Sequence, residues 1–151
     1  MIHSSDSIKI TMHETQGCLV VPIQEELSKK TAQQIQRSLL EQVHGRSVKG
    51  VIIDLSGVMI IDGILWEIFS QTAKMVQMLG PRSVITGLSP GVVASIIELN
   101  LDINNLTTAL NLEDALEMIT QSDEPEPDAE DDLDSNDLDE ENEKAMEIKD
   151  A

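Results

Sequence analysis

Apolar and polar positions alternate along this chain in a way that marks out short strands and longer helices. Ile8-Lys9-Ile10-Thr11-Met12 has the two-residue period of a half-buried strand. Glu14-Thr15-Gln16-Gly17 reads as a turn, and Cys18 to Pro22 as a second strand that closes a hairpin with the first. Ser28 is placed to cap a helix running to about Val43, whose apolar positions Ala32, Ile35, Leu39 and Val43 recur at helical spacing. Lys29, Gln33, Gln36 and Arg37 fall mostly on the opposite face, and Gly45 ends the helix.

Val48 to Leu55 is almost continuously apolar, which suits a central strand covered on both faces. The pattern then predicts a long helix from Gly63 to Leu79, burying Ile64, Leu65, Ile68, Thr72, Met75, Val76 and Leu79 and stopped by Gly80-Pro81. Arg82 to Thr86 is a strand, and Gly87-Leu88-Ser89-Pro90 is a turn that puts proline at a helix start. The helix Gly91 to Leu99 is expected to bury Val92, Val93, Ile96 and Ile97, with Asn100 as its left-handed terminator. Leu106-Thr107-Thr108 reads as a last short strand, and Asn111 caps a final helix to about Thr120, with Glu113 and Asp114 in its first turn. The order β-β-α-β-α-β-α-β-α implies an α/β layer domain, a mixed sheet with helical cover, over residues 1–121.

Residues 122–151 break this pattern. They carry 15 acids and 2 bases and almost no apolar periodicity, so a disordered acidic tail is expected, serving either as a solubility tail or as an autoinhibitory or basic-partner-binding segment. The net charge of −18 is thus mostly in the tail, and the first 121 residues hold 13 acids against 8 bases. Neither part offers the basic patch that a phosphate backbone requires, which argues against nucleic-acid binding. Trp66 and Phe69 are the only aromatic residues, so the core must be aliphatic. The lone cysteine, Cys18, sits in an apolar run and reads as a packed, inert thiol. No secretory signal and no apolar run of membrane-spanning length is evident, so a soluble, cytoplasmic chain is expected. His3, His13 and His44 lack metal-ligand spacing. No phosphate-binding loop, dinucleotide fingerprint or nucleophile elbow is present, so neither catalysis nor a cofactor or metal is expected.

Several blocks carry a family resemblance. They are Cys18-Leu19-Val20-Val21-Pro22-Ile23-Gln24-Glu25-Glu26-Leu27, the stretch from Val51 to Asp62, Thr86-Gly87-Leu88-Ser89-Pro90-Gly91-Val92, Glu98-Leu99-Asn100-Leu101-Asp102-Ile103, and Thr108-Ala109-Leu110-Asn111-Leu112-Glu113. In this order and spacing, over roughly Ile8 to Thr120, the chain resembles the STAS domain of anti-sigma factor antagonists, with its SpoIIAA-like fold. It is most similar to the stressosome scaffolds of the RsbS type. The resemblance implies binding of an RsbT-type kinase, co-assembly with RsbR-type paralogues and homo-oligomerisation. It also implies a phosphorylatable hydroxyl directly after Asp62, where this chain has Gly63. A phosphate there would add about −1.5 to −2 charges at pH 7 and expel a docked partner.

Glycine cannot be phosphorylated, and three readings stand. The protein is a natural variant that does not release its partner at this site, the glycine is an engineered lock, or control has moved elsewhere. Ser95 is the candidate alternative phospho-acceptor, since the resemblance places a second phosphorylatable residue there. Ser56 and Thr86 read as turn residues satisfying local hydrogen bonds. The partner-binding candidates are Asp62, Gly63, Ile64 and Ser95, with Met59 and a partly buried Trp66 as apolar neighbours. Asp62 also has a plain structural role beside a helix N-terminus. Two other functions fit the same resemblance: a simple anti-sigma factor antagonist outside any stressosome, and a small-ligand module holding an anion on the helix N-terminus at Gly63.

Overall fold

The computed structural model describes residues 11–24 and 26–121. The acidic stretch 122–151 and most of the strand expected at 8–12 lie outside the described residues. The elements are β1 (His13–Thr15), β2 (Cys18–Pro22), α1 (Lys29–Gly45), β3 (Gly50–Asp54), α2 (Gly63–Met78), β4 (Arg82–Thr86), α3 (Pro90–Glu98), β5 (Thr108–Ala109) and α4 (Leu112–Gln121). The sheet runs β1-β2-β3-β4-β5; β1 is antiparallel to β2 and every other pair is parallel. Parallel neighbours need crossover connections, and the helices α1, α2 and α3 supply them.

Alternation along the strands divides the core. Leu19, Val21, Val51, Ile53 and Ile85 pack with α1 and α2 in the larger cluster. Cys18, Val20, Ile52 and Val84 point the other way and are covered by Ala115, Leu116 and Ile119 of α4. The cover is close at Gly50, where an added Cβ would lie 2.6 Å from the Ile119 Cδ1.

The hairpin forms, and its first strand ends at Thr15, three residues past the end expected at Met12. Thr15 pairs with Cys18 across a two-residue loop, Gln16-Gly17, with φ of 51° and 79°. Two left-handed residues make the tight turn whose twist matches the flanking strands, so pairing continues up to Thr15. The first helix follows its pattern: the Ser28 hydroxyl accepts the Thr31 N–H at 3.1 Å, and Ala32, Ile35, Leu39 and Val43 are all buried.

In α2 the buried face is rotated from the expected stripe. Ile68, Thr72 and Val76 are buried as expected, but Ile64, Met75 and Leu79 are exposed, and Trp66, Phe69 and Ala73 face the core instead. The helix packs against α1 as well as β3 and β4, so two adjacent rows are covered rather than one. Gln36 of α1 ties the helices by donating its Nε2–H to Thr72 Oγ1 at 2.9 Å. Only one side of α3 meets the core, through Val92 and Ile96, so Val93 and Ile97 are exposed. The last strand is the two-residue pair Thr108–Ala109, one residue beyond its expected end. Asn100 does adopt the left-handed conformation after α3, at φ 50°.

Candidate functional site

The C-terminal ends of β2, β3 and β4 lie in register at Pro22, Asp54 and Thr86, and the loops leaving them build one end of the molecule. Asp54 Oδ1 accepts the Ser56 N–H at 2.9 Å, and the Val58 N–H donates to the Leu55 carbonyl at 2.9 Å, which turns the chain sharply after β3. Gly87, at φ 73°, closes against this turn, with space for no Cβ: one would sit 2.7 Å from the Ser56 nitrogen. Val58 and Ile61 then point inward and are buried, while Met59 and Ile60 between them are 66% and 74% exposed.

Asp62 is the N-cap of α2. Its backbone is extended and its Oδ1 accepts the Leu65 N–H at 2.8 Å. Gly63 is the first helical residue, half-buried, and Ile64 beside it is 54% exposed. A Cβ at position 63 would lie 3.4 Å from Leu101 Cδ2, an ordinary van der Waals distance, and the backbone there is not left-handed. Neither steric room nor backbone conformation therefore demands glycine.

The start of α3 is fastened to the Met59 loop. Ser89 caps α3 by accepting the Val92 N–H at 3.2 Å, and its hydroxyl reaches the carbonyls of Val58 at 3.2 Å and Met59 at 3.3 Å. Gly91 packs so closely on the Met59 carbonyl that a side chain at 91 would strike it. Ser95 lies in the second turn of α3, half-buried, with its hydroxyl donating back to the Gly91 carbonyl at 2.9 Å. The structure thus gathers Asp62, Gly63 and Ile64 on one turn, with the helix that carries Ser95 docked on the adjoining loop.

A third segment, the α3–β5 loop, closes the group. It is bracketed by the left-handed Asn100 and Asn105. Ile96, Ile97, Asn100, Leu101, Asp102, Ile103 and Asn104 line an open groove of about 470 Å³ there, and Leu101 is the residue facing Gly63. The Asp102 carbonyl accepts the Trp66 indole N–H at 2.9 Å, so Trp66 is fully buried, not partly as expected, with its polar atom satisfied. The Asn104 backbone N–H holds the Asp102 carboxyl below its ordinary value, with help from Lys74 at 3.7 Å.

Ser56 meets its expected turn through its backbone N–H. Thr86 does not: its Oγ1 is wholly buried and has no hydrogen-bond partner among the described residues. The role of Ser89 was legible only as a turn residue, although serine before proline at a helix start is the usual signature of a cap. Among the described residues no three His, Cys, Asp or Glu side chains converge to hold a metal, and no helix is long and apolar enough to cross a membrane.

This arrangement is that of a known fold family. The STAS domain family matches residues 9–115, and the chain belongs to it. Within that family it is related to RsbR-type and RsbS-type proteins. The RsbT co-antagonist protein RsbRB of Bacillus subtilis is 28% identical over 116 residues, which are 77% of this chain and 41% of the relative. The chain therefore spans less than half the length of that relative. A serine-to-glutamate variant of Moorella thermoacetica RsbS superposes with a TM-score of 0.67 at 27% identity, covering 76% of this chain and 97% of that one. A chain from the molecular architecture of the stressosome, a signal integration and transduction hub, gives 0.62 at 26% identity, covering 74% and 97%. Unphosphorylated SpoIIAA shares the fold, with a TM-score of 0.58 at 15% identity over 74% of this chain and 96% of that one.

Proposed function

We propose that this protein is a non-catalytic cytoplasmic scaffold and antagonist that sequesters an RsbT-type kinase, co-assembles with RsbR-type paralogues and itself, and lacks the release switch at position 63. The observation that carries the reading is the exposed apolar surface around the start of α2. Met59 and Ile60 on the loop after β3, Ile64 in the first turn of α2 and Ile97 on α3 are all exposed, the start of α3 is fastened to that loop through Ser89, and Gly63 carries no hydroxyl. Exposed apolar side chains held on a fastened loop and helix start are suited to a protein partner. The kinship with an RsbT co-antagonist supports the choice of partner.

The anion-binding reading is weaker. The Asp62 carboxylate already takes the Leu65 N–H and presents a negative charge where an anion would sit. The simple antagonist reading differs only in assembly size.

The test mixes the full chain with its cognate RsbT-type kinase and ATP, followed by intact mass and gel filtration. Stable co-elution with no added phosphate is expected. A phosphate on Ser95 with loss of the kinase would instead show that the switch has moved, and failure to co-elute at all would sink the sequestration reading.

A further inference from the structure

We propose that the Met59 thioether is a reversible oxidation site, and that its sulfoxide ejects the docked partner in the way a phosphate at position 63 would. The inference rests on the docking reading above and deepens it by naming a modification that this face can still receive. The two serine hydroxyls at the start of α3 are engaged. The Ser95 hydroxyl is turned back on the Gly91 carbonyl, and the Ser89 hydroxyl is held by Val58, Met59 and Val92. Met59 differs. Its backbone is pinned from beneath by Ser89 and Gly91, while its side chain is 66% exposed beside Ile60. By contrast Met12 is half-buried, and its sulfur accepts the Gln42 Nε2–H at 3.3 Å.

The chemistry needs only a peroxide. A sulfur lone pair attacks one peroxide oxygen, an S–O bond forms as the O–O bond breaks, and the departing hydroxide takes up the proton released, leaving water. Sulfur is oxidised by two electrons and the peroxide is reduced. The product is a strongly polar group in place of a flexible apolar one, and methionine sulfoxide reductases reverse it. Burying that group against an apolar partner without a hydrogen bond is unfavourable enough to weaken docking about tenfold.

Met78 serves as the internal control. It is 87% exposed but lies at the other end of α2, about 22 Å from Gly63 at the helical rise per residue. The experiment treats the full chain with hydrogen peroxide, maps sulfoxides by peptide mass, and measures affinity for the RsbT-type kinase before and after, in the wild type and in Met59→Leu. The expected result has four parts: Met59 oxidises early along with Met78, wild-type affinity drops about tenfold, a sulfoxide reductase restores it, and peroxide leaves the affinity of Met59→Leu where it was.

Three results overturn the inference: Met59 oxidising no faster than Met12, oxidised wild type binding as before, or Met59→Leu losing as much affinity to peroxide as wild type. If untreated protein fails to bind the kinase, the docking reading falls and this inference with it. That failure appears before any oxidant is added and so is distinct.

Discussion

A buried hydroxyl without a partner is unfavourable, and the Thr86 hydroxyl has none among the described residues. Thr86→Val keeps the shape and removes the unsatisfied oxygen, so it should raise unfolding stability by about 1 kcal/mol, read as a shift of the urea midpoint. An unchanged or lower midpoint would mean that Thr86 is satisfied in solution. Gly63 is the opposite case. A Cβ there meets only a Leu101 methyl at ordinary distance, so Gly63→Ser should fold with stability within about 0.5 kcal/mol of the parent. The same variant should acquire one phosphate from an RsbT-type kinase and then release it, whereas the parent does neither. Which residues bear on position 63 was partly legible beforehand. Asp62 at a helix start follows from the apolar run behind it, but Leu101 is 38 residues away and only the folded chain brings it there. The Asp102 carboxyl should titrate below the ordinary carboxylate value, because the Asn104 N–H donates to its ionised form. An NMR titration of that side chain checks the direction.

Between elements, the closest fit is the seat of α3 on the Met59 loop. Gly91 has no room for a Cβ against the Met59 carbonyl, so Gly91→Ala must move either the helix or the loop. It should cost about 1–3 kcal/mol and disturb the loop resonances, while Ala94→Ser, on the exposed side of α3, should do little. A Gly91→Ala protein as stable as the parent would show that this seat is loose. Sequence pattern captured the four fully buried positions of α1, but it put Gln36 on the opposite face, where the fold instead turns it to Thr72 of α2, and it left out the half-buried Leu40. On α2 it found Ile68, Thr72 and Val76 but missed Trp66, Phe69 and Ala73, because burial there is shared between the sheet and α1, and no single stripe describes a helix enclosed on two sides. On α3 it erred in the opposite sense, taking Val93 and Ile97 as core when the helix touches the core only through Val92 and Ile96. Of the two, Ile97 lines the groove of the candidate site. In the hairpin, the two left-handed residues of the Gln16-Gly17 loop decide where pairing stops, and an alternation count has no access to backbone sign.

For the molecule as a whole, stability and docking should be separable. Every core residue among those described lies between Cys18 and Ile119, in two clusters on the two faces of one sheet. Ile64 and Ile97 belong to neither and are 54% and 69% exposed, so the folded state gains little from them. Replacing both with aspartate removes apolar surface and adds two negative charges to a chain already at −18. On an exposed face this should change unfolding stability by no more than about 0.5 kcal/mol per site. At a docked interface the same carboxylates would be buried without partners, which weakens binding of an RsbT-type kinase by at least about tenfold. The double variant Ile64→Asp/Ile97→Asp should therefore keep the urea midpoint of the parent and lose co-elution with the kinase. A variant that retains the kinase would place the docking surface elsewhere on the molecule. A variant that unfolds would mean that these side chains are covered in solution by a second copy of the chain, which sedimentation of the parent across a concentration series would reveal as self-association.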